Sequence, residues 1–196
     1  YSSNTDEDFH QEIALLEKET QVREIYTYQI YENGTNQVNA YLYTHLKEFG
    51  SDYRKADGTP DWEEINRNDG MVYCDYDTWM GISDYNHLRK MLGLSEVILK
   101  EDEYAIHMKE RVWRQTGDFS DQIEINGSGG RLSFSGYYTE SFSQDGHNGG
   151  DYILVVPDAL LEEMKPYYAE LVADIEGKAP GNLRRLLDDI EEEDDI

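Results

Sequence analysis

Hydrophobic positions along this chain switch between a period of two and a period near 3.6, and the switches mark its elements. Residues 5–24 carry Phe9, Ile13 and Leu16 at helical spacing, behind Asp6, Glu7 and Asp8, acids that favour a helix N-terminus. The rest of that stretch is mostly charged, so only one narrow stripe can be buried and the helix suits a stalk. Residues 25–32 alternate instead, with Tyr26, Tyr28 and Ile30 on one face and Ile25, Thr27 and Tyr31 on the other. Asn33-Gly34 follows, a pair that tolerates positive φ, and predicts a hairpin whose return strand runs from Val38 to Tyr43. Residues 50–70, with Gly50, Gly58, Pro60 and Gly70, read as a loop that Trp62 pins to the body.

Residues 71–108 predict strand–helix–strand. A strand covers 71–76. Ser83 caps a helix from Asp84 to Leu92, with Tyr85, Leu88, Met91 and Leu92 inward and Gly93 at the C′ position. Glu103 to Met108 alternates as the second strand, where His107 reads as a solvated or satisfied histidine. Residues 117–150 are rich in Gly, Ser and Asp; Asn126-Gly127 marks a turn, and Leu132, Phe134 and Tyr138 suggest short strands. Tyr152 to Val156 is nearly continuous in apolar residues, the mark of a strand buried on both faces. Pro157-Asp158 then opens a helix with Leu160, Leu161 and Met164 inward; Pro166 stops it, and Tyr167 to Ile175 forms a further strand. A last amphipathic helix spans 178–192 through Leu183, Leu186, Leu187 and Ile190, before a solvated run from Glu191 to Asp195.

These elements predict an α+β (α/β-like) fold with mixed sheets, two strand–helix–strand units and helices at both ends as candidate stalks. The expected division is an N-terminal stalk helix over 1–24, an α+β domain over 25–177 with subdomains near 25–110 and 111–177, and a C-terminal helix with an acidic tail over 178–196.

Composition narrows the function. The chain has 196 residues, 38% of them hydrophobic, and 16 Tyr with 3 Trp supply apolar bulk with polar tips. A core can form. The net charge is -25, which repels phosphate backbones and excludes nucleic acid as an expected partner. The same charge disfavours anionic lipid and steers cationic partners, although acidity also serves solubility alone. Cys74 is the single cysteine, so no internal disulfide is expected; it sits in an alternating strand and reads as a buried thiol. No apolar run reaches transmembrane length and no signal peptide is visible. The chain starts at Tyr1, so it is expected to have been cut from something longer, with any membrane segments outside it.

Catalytic templates fail at named positions. Gly127-Ser128-Gly129-Gly130 has the wrong spacing for a nucleophile elbow. Gly177-Lys178 is followed by Ala179, not Ser or Thr, so no phosphate loop exists. His10, His45, His87, His107 and His147 form no pair at ligand spacing, and zinc is not expected. An EF-hand centred on Gly58 places Asp57 and Glu64 correctly but Tyr53 and Lys55 at two ligand positions; irregular calcium binding within 52–64 stays open. Acid pairs arise by chance among 42 carboxylates. Asn33-Gly-Thr35 and Asn126-Gly-Ser128 match a glycosylation pattern, and the turn reading explains both. Tyr26, Tyr28, Tyr41, Tyr43, Tyr73 and Tyr76 read as a core face. No catalytic residue, cofactor or metal is expected. The candidate ligand contacts are Tyr137 and Tyr138, in the Gly-rich region, and Trp62.

Ile82-Ser-Asp-Tyr-Asn-His-Leu-Arg-Lys-Met-Leu-Gly-Leu94, followed by Ile98-Leu-Lys-Glu-Asp-Glu-Tyr104, resembles the extracellular domain of FtsX-like (MacB/BceB-type) ABC transporter permeases from Firmicutes. Tyr152 to Asp158 and Tyr167 to Gly177 resemble that domain's second unit. The resemblance covers roughly 71–177 and carries no catalytic signature. It implies a domain outside the cell between two transmembrane helices, driven by a cytoplasmic ATPase subunit, that senses or binds a ligand such as a cationic antimicrobial peptide or a cell-envelope component. The alternative is a secreted or lipoprotein-anchored adhesion or carbohydrate-binding module that uses exposed Tyr and Trp. A hydrolase is disfavoured by the failed templates.

Overall fold

Strands form where β-branched and aromatic residues alternate, and helices where the apolar stripe has a 3.6 period, which gives an α+β fold. The computed structural model describes residues 2–3, 9–32, 36–39, 53–67, 71–74, 78–110, 122–124, 130–141, 152–162, 164 and 166–194. The chain divides into two units, one of residues 1–30 with 166–196 and one of residues 31–165.

The first unit takes both ends of the chain. Its sheet has the order β1 (Ser2–Ser3), β10 (Pro166–Ile175), β2 (Val22–Glu32, in this unit as far as Ile30). β1 runs antiparallel to β10, with Ser2 opposite Glu170. Helices α1 (His10–Leu16) and α4 (Leu183–Asp194) lie on one face of β10. Phe9 and Leu16, Leu183 and Leu187, and Ala169 and Leu171 form the core there. The helix expected over 5–24 is thus seven residues long, and the chain is already in strand from Val22. The Tyr- and Ile-rich alternation wins, because its side chains fill a sheet face that the polar residues 17–21 cannot. α4 continues to Asp194, through acids expected to be tail. Glu12 sits on the buried stripe of α1, and its Oε2 has no hydrogen-bond partner among the described residues.

The second unit is built on a mixed sheet. From the last two residues of β2 the order is β5 (Thr78–Gly81), β9 (Tyr152–Val156), β6 (Glu103–Met108), β8 (Arg131–Tyr138), β7 (Gln122–Glu124), β3 (Asn36–Asn39), β4 (Met71–Cys74). β5–β9 and β6–β8 are parallel pairs; β6–β9, β7–β8, β3–β7 and β3–β4 are antiparallel. β9 lies between β5 and β6 and is buried along its length after Tyr152, as its apolar run predicts. The hairpin expected at Asn33-Gly34 does not form: β3 pairs with β4 and β7, while β2 pairs with β5 through Tyr31 and Glu32. Residues 33–35, the second turn at 125–129, Tyr41, Tyr43 and Tyr76 lie outside the described residues. Cys74 lies in β4, opposite Asn36.

Each sheet face has its own cover. Trp79, Tyr104, Ile106, Met108, Leu132, Leu154 and Val156 point to one face and pack with Ile65 of α2 (Trp62–Arg67), Tyr53 and Leu161. Alternation sends Ala105, His107, Ile153 and Val155 to the other, where α3 (Ile82–Met91) lies. The helix expected after Pro157 is one 3-10 turn, Asp158–Leu160. Only Ala159 and Leu160 follow Asp158 before the chain turns at Leu161, too few for an α-helical turn to propagate.

That turn has a specific task. Asp158 accepts from the Ser83 backbone N–H at 3.1 Å and from the Ser83 hydroxyl. The N-cap of α3 is Gly81, with extended backbone and no capping side chain of its own. Ser83 therefore does not cap the helix; a carboxylate 75 residues away does. A Cβ on residue 81 would collide with Asp158 Oδ1, so any larger residue there must displace the capping carboxylate.

Gly81→Ala should destabilise the protein by about 1–3 kcal/mol, the usual range for overpacking, in urea unfolding. In an Asp158→Ala background the same substitution should cost clearly less, because its collision partner is gone; equal costs in both backgrounds would refute the clash. Glu12→Leu should stabilise the protein by about 1–3 kcal/mol, since it removes a buried acceptor lacking a partner. A lowered melting temperature would refute that account of Glu12.

Candidate functional site

The best-formed cluster of polar side chains lies between α3 and the sheet of the second unit. Helix spacing puts Tyr85, Leu88 and Arg89 on the inward side of α3. The stripe read from sequence had Tyr85 and Leu88 right, but Leu92 is 45% exposed. The helix ends one residue early, at Met91. Gly93, at φ +69, lets the chain reverse, with Gly93 N–H bonded to Lys90 O and Leu94 N–H to Arg89 O, both at 2.9 Å. The glycine stop is where the sequence predicts it; the next inward position belongs to a cation rather than a leucine.

Arg89 is 5% exposed. Its Nε donates to Ser95 O at 2.7 Å and its NH1 to Glu140 Oε2 at 3.2 Å. The guanidinium carbon stands 4.7 Å from the Tyr138 ring centre and 5.8 Å from that of Tyr85. The Tyr85 hydroxyl is 2.9 Å from His107 Nδ1, and the Tyr85 ring packs edge-on against those of His107 and Tyr138. The cluster thus runs from a buried imidazole on β6, through two phenols and a guanidinium, to a carboxylate just past β8 whose side chain is 42% exposed.

A β-bulge brings Tyr138 here. β6 and β8 pair Tyr104 with Phe134, then Ala105 with Gly136, so Ser135 is an extra residue. Before it, Leu132 and Phe134 face the α2 side; after it, Tyr138 faces α3 opposite His107. Without the bulge, strict alternation would have kept Tyr138 with Phe134 and turned Tyr137 to α3 instead.

Electrostatics follow from burial. Burial pushes His107 down to about 4, helped by the Arg89 charge and opposed by Glu140. Burial pushes the Tyr85 hydroxyl well up, against the pull of Arg89. Partial burial works against the Glu140 charge, but backbone hydrogen bonds and Arg89 outweigh it and hold the carboxyl below its ordinary value. At neutral pH the cluster therefore holds a neutral histidine, a neutral Tyr85 phenol and one ion pair.

The contacts expected from sequence sit on β8 and at the start of α2. Tyr138 belongs to the cluster. Tyr137, its neighbour on β8, points to the opposite face and is 41% exposed. Trp62 opens α2 and is 38% exposed. In the stretch considered for calcium, Asp57 Oδ1 accepts from the Thr59 N–H and hydroxyl, which close a turn, and Glu64 pairs with Arg67. Among the described residues no three acids, His or Cys gather as a metal site. Arg89 and Glu140 went unnoticed in sequence because each looks like a surface residue, whereas His107, read as solvated or satisfied, is buried and held by the Tyr85 hydroxyl. One signal existed: Gly136 inside a strand pattern hints at a bulge.

With His107 1% exposed, the imidazole is not presented to a substrate. The arrangement suits rigid support of what surrounds it: Glu140, Tyr138 and the connection that Arg89 grips at Ser95. No protein-family model matches the chain. Nor does any curated protein.

The depressed His107 value sets a pH dependence. Above its ordinary value of 6.5 the histidine is neutral folded or unfolded. As pH falls from there towards about 4, the unfolded chain takes up a proton that the folded one does not, and stability is lost. Glu140 acts in the same direction at lower pH, because its folded value is also depressed. Unfolding titrations between pH 7 and pH 4 should show stability falling in wild type, and His107→Gln should flatten that slope. A slope that survives the substitution would assign it elsewhere.

Proposed function

We propose that this chain is the extracytoplasmic domain of an FtsX-like ABC transporter permease, a module that binds a ligand or partner and couples it to ATPase-driven motion. One observation carries the reading: residues 1–30 and 166–196 build a single unit, with the whole of 31–165 inserted between them. That arrangement suits a domain placed between two membrane helices, because its first and last segments then belong to the same unit. The segment that carries the family resemblance, residues 82–104, supports it by forming one continuous strand-to-helix-to-strand connection beside β5, β9 and β6. Among the described residues no helix is long and apolar enough to cross a membrane, so in this reading the spanning segments flank the domain. Its partner is a cytoplasmic ATPase subunit, its place is the outer side of the cell membrane, and a cationic peptide or envelope component is its ligand.

A second reading has its own observation. Tyr167, Tyr137 and Trp62 are exposed aromatics, the residue types with which an adhesion or carbohydrate-binding module would make contact.

The two readings separate in one experiment. The full-length protein, tagged within this domain, is extracted from membranes and purified. A permease should bring down an ATPase in stoichiometric amount, and the complex should hydrolyse ATP. A product recovered from the medium, or anchored with no ATPase attached, would reject the permease and favour the adhesion module.

A further inference from the structure

The connection between α3 and β6 presents apolar side chains to solvent from a backbone that is tied down. Ile98 is 83% exposed and Leu92 is exposed, while Leu94 and Leu99 are half-buried. This is not a loose loop. Both ends of the Asn86 amide clamp Val97: its Nδ2 donates to Val97 O and its Oδ1 accepts from Val97 N–H, each at 2.8 Å. Arg89 holds Ser95 O, and Leu94 N–H returns to Arg89 O. Val97 is thereby turned inward and its neighbour Ile98 outward. A preorganised apolar tip loses little conformational freedom on docking.

The rim decides what would dock. Glu96, Glu101 and Asp102 are exposed on the same connection, and Lys100 is occupied by Glu103 at 3.0 Å. Arg89 and Lys90, in the last turn of α3, are the other basic residues nearby, and Arg89 is buried and paired with Glu140. The tip is aliphatic within a negative surround, on a chain of net charge -25. Anionic headgroups are repelled by that surround, whereas a segment carrying both apolar and basic side chains is complementary to it.

We propose that residues 92–102 are the docking tip for a basic amphipathic peptide segment, with Ile98 and Leu92 against its apolar side chains and Glu96, Glu101 and Asp102 against its Lys or Arg residues. The inference rests on the reading of the chain as a binding module, and it names the contact surface that reading lacks. It does not depend on which larger protein carries the domain.

The test uses a labelled amphipathic helical peptide of leucine and lysine, with oligolysine of equal charge as control, in fluorescence anisotropy. The amphipathic peptide should bind more tightly than oligolysine. Ile98→Asp should weaken it about tenfold or more, equivalent to about 1.4 kcal/mol, with an unchanged melting temperature because Ile98 is exposed. Raising salt from about 0.15 M to about 1 M, which shortens the screening length from about 8 to about 3 Å, should weaken binding further. Replacing Glu96, Glu101 and Asp102 together by Gln, Gln and Asn should reduce that salt response. Binding that is unaffected by Ile98→Asp would overturn the tip and leave the binding-module reading standing. No binding of either peptide would overturn the tip and remove the support that charge lends to a cationic ligand. Flotation of the domain with phosphatidylcholine or phosphatidylglycerol vesicles, lost in Ile98→Asp, would assign the tip to lipid and overturn the peptide.

Discussion

A guanidinium cannot give up its charge, so a chain that buries Arg89 must surround it with partners. Those it takes come from three places: the carboxylate of Glu140 beyond β8, the carbonyl of Ser95 beyond α3, and the adjoining rings of Tyr85 and Tyr138. Fixing one cation therefore fixes the end of a helix, the end of a strand and the loop between α3 and β6. At the other end of α3, Asp158 takes the backbone N–H that the helix cannot satisfy internally. Two carboxylates from different parts of the chain thus set the line along which α3 crosses the sheet. Along that line Tyr85 meets His107.

What could be read from sequence was what local pattern controls. β9 announces itself by unbroken apolar residues, β6 and β10 by strand-like runs, and the stop of α3 by Gly93. What escaped depends on partners far along the chain. Asn33-Gly34 is a good hairpin pair, yet β3 satisfies its backbone against β4 and β7. Ser83 looks like a cap, but Asp158 provides one from a distance. The extra residue at Ser135 changes the face of Tyr138 without altering any local propensity.

The candidate site was legible to the same degree. Tyr138 could be nominated as an aromatic in a Gly-rich stretch, but not as the lid on a buried arginine. Ile98 illustrates the converse problem. In sequence it is one more aliphatic residue beside Val97, and nothing in the pattern says which of the two is turned inward. The Asn86 amide decides it, by spending both its hydrogen-bonding ends on Val97. A side chain that reads as polar surface thereby selects which apolar neighbour is exposed.

The division of the chain also sets an order of events during synthesis. Residues 31–165 are continuous and can fold as they leave the ribosome, whereas the first 30 residues must wait for β10 and α4 to be made. Closure entropy grows slowly, by only about 0.6 kcal/mol for each doubling of a flexible insert. Relatives could therefore lengthen or replace the inserted unit at small cost to the first, so evolutionary change in size should accumulate between residues 30 and 166.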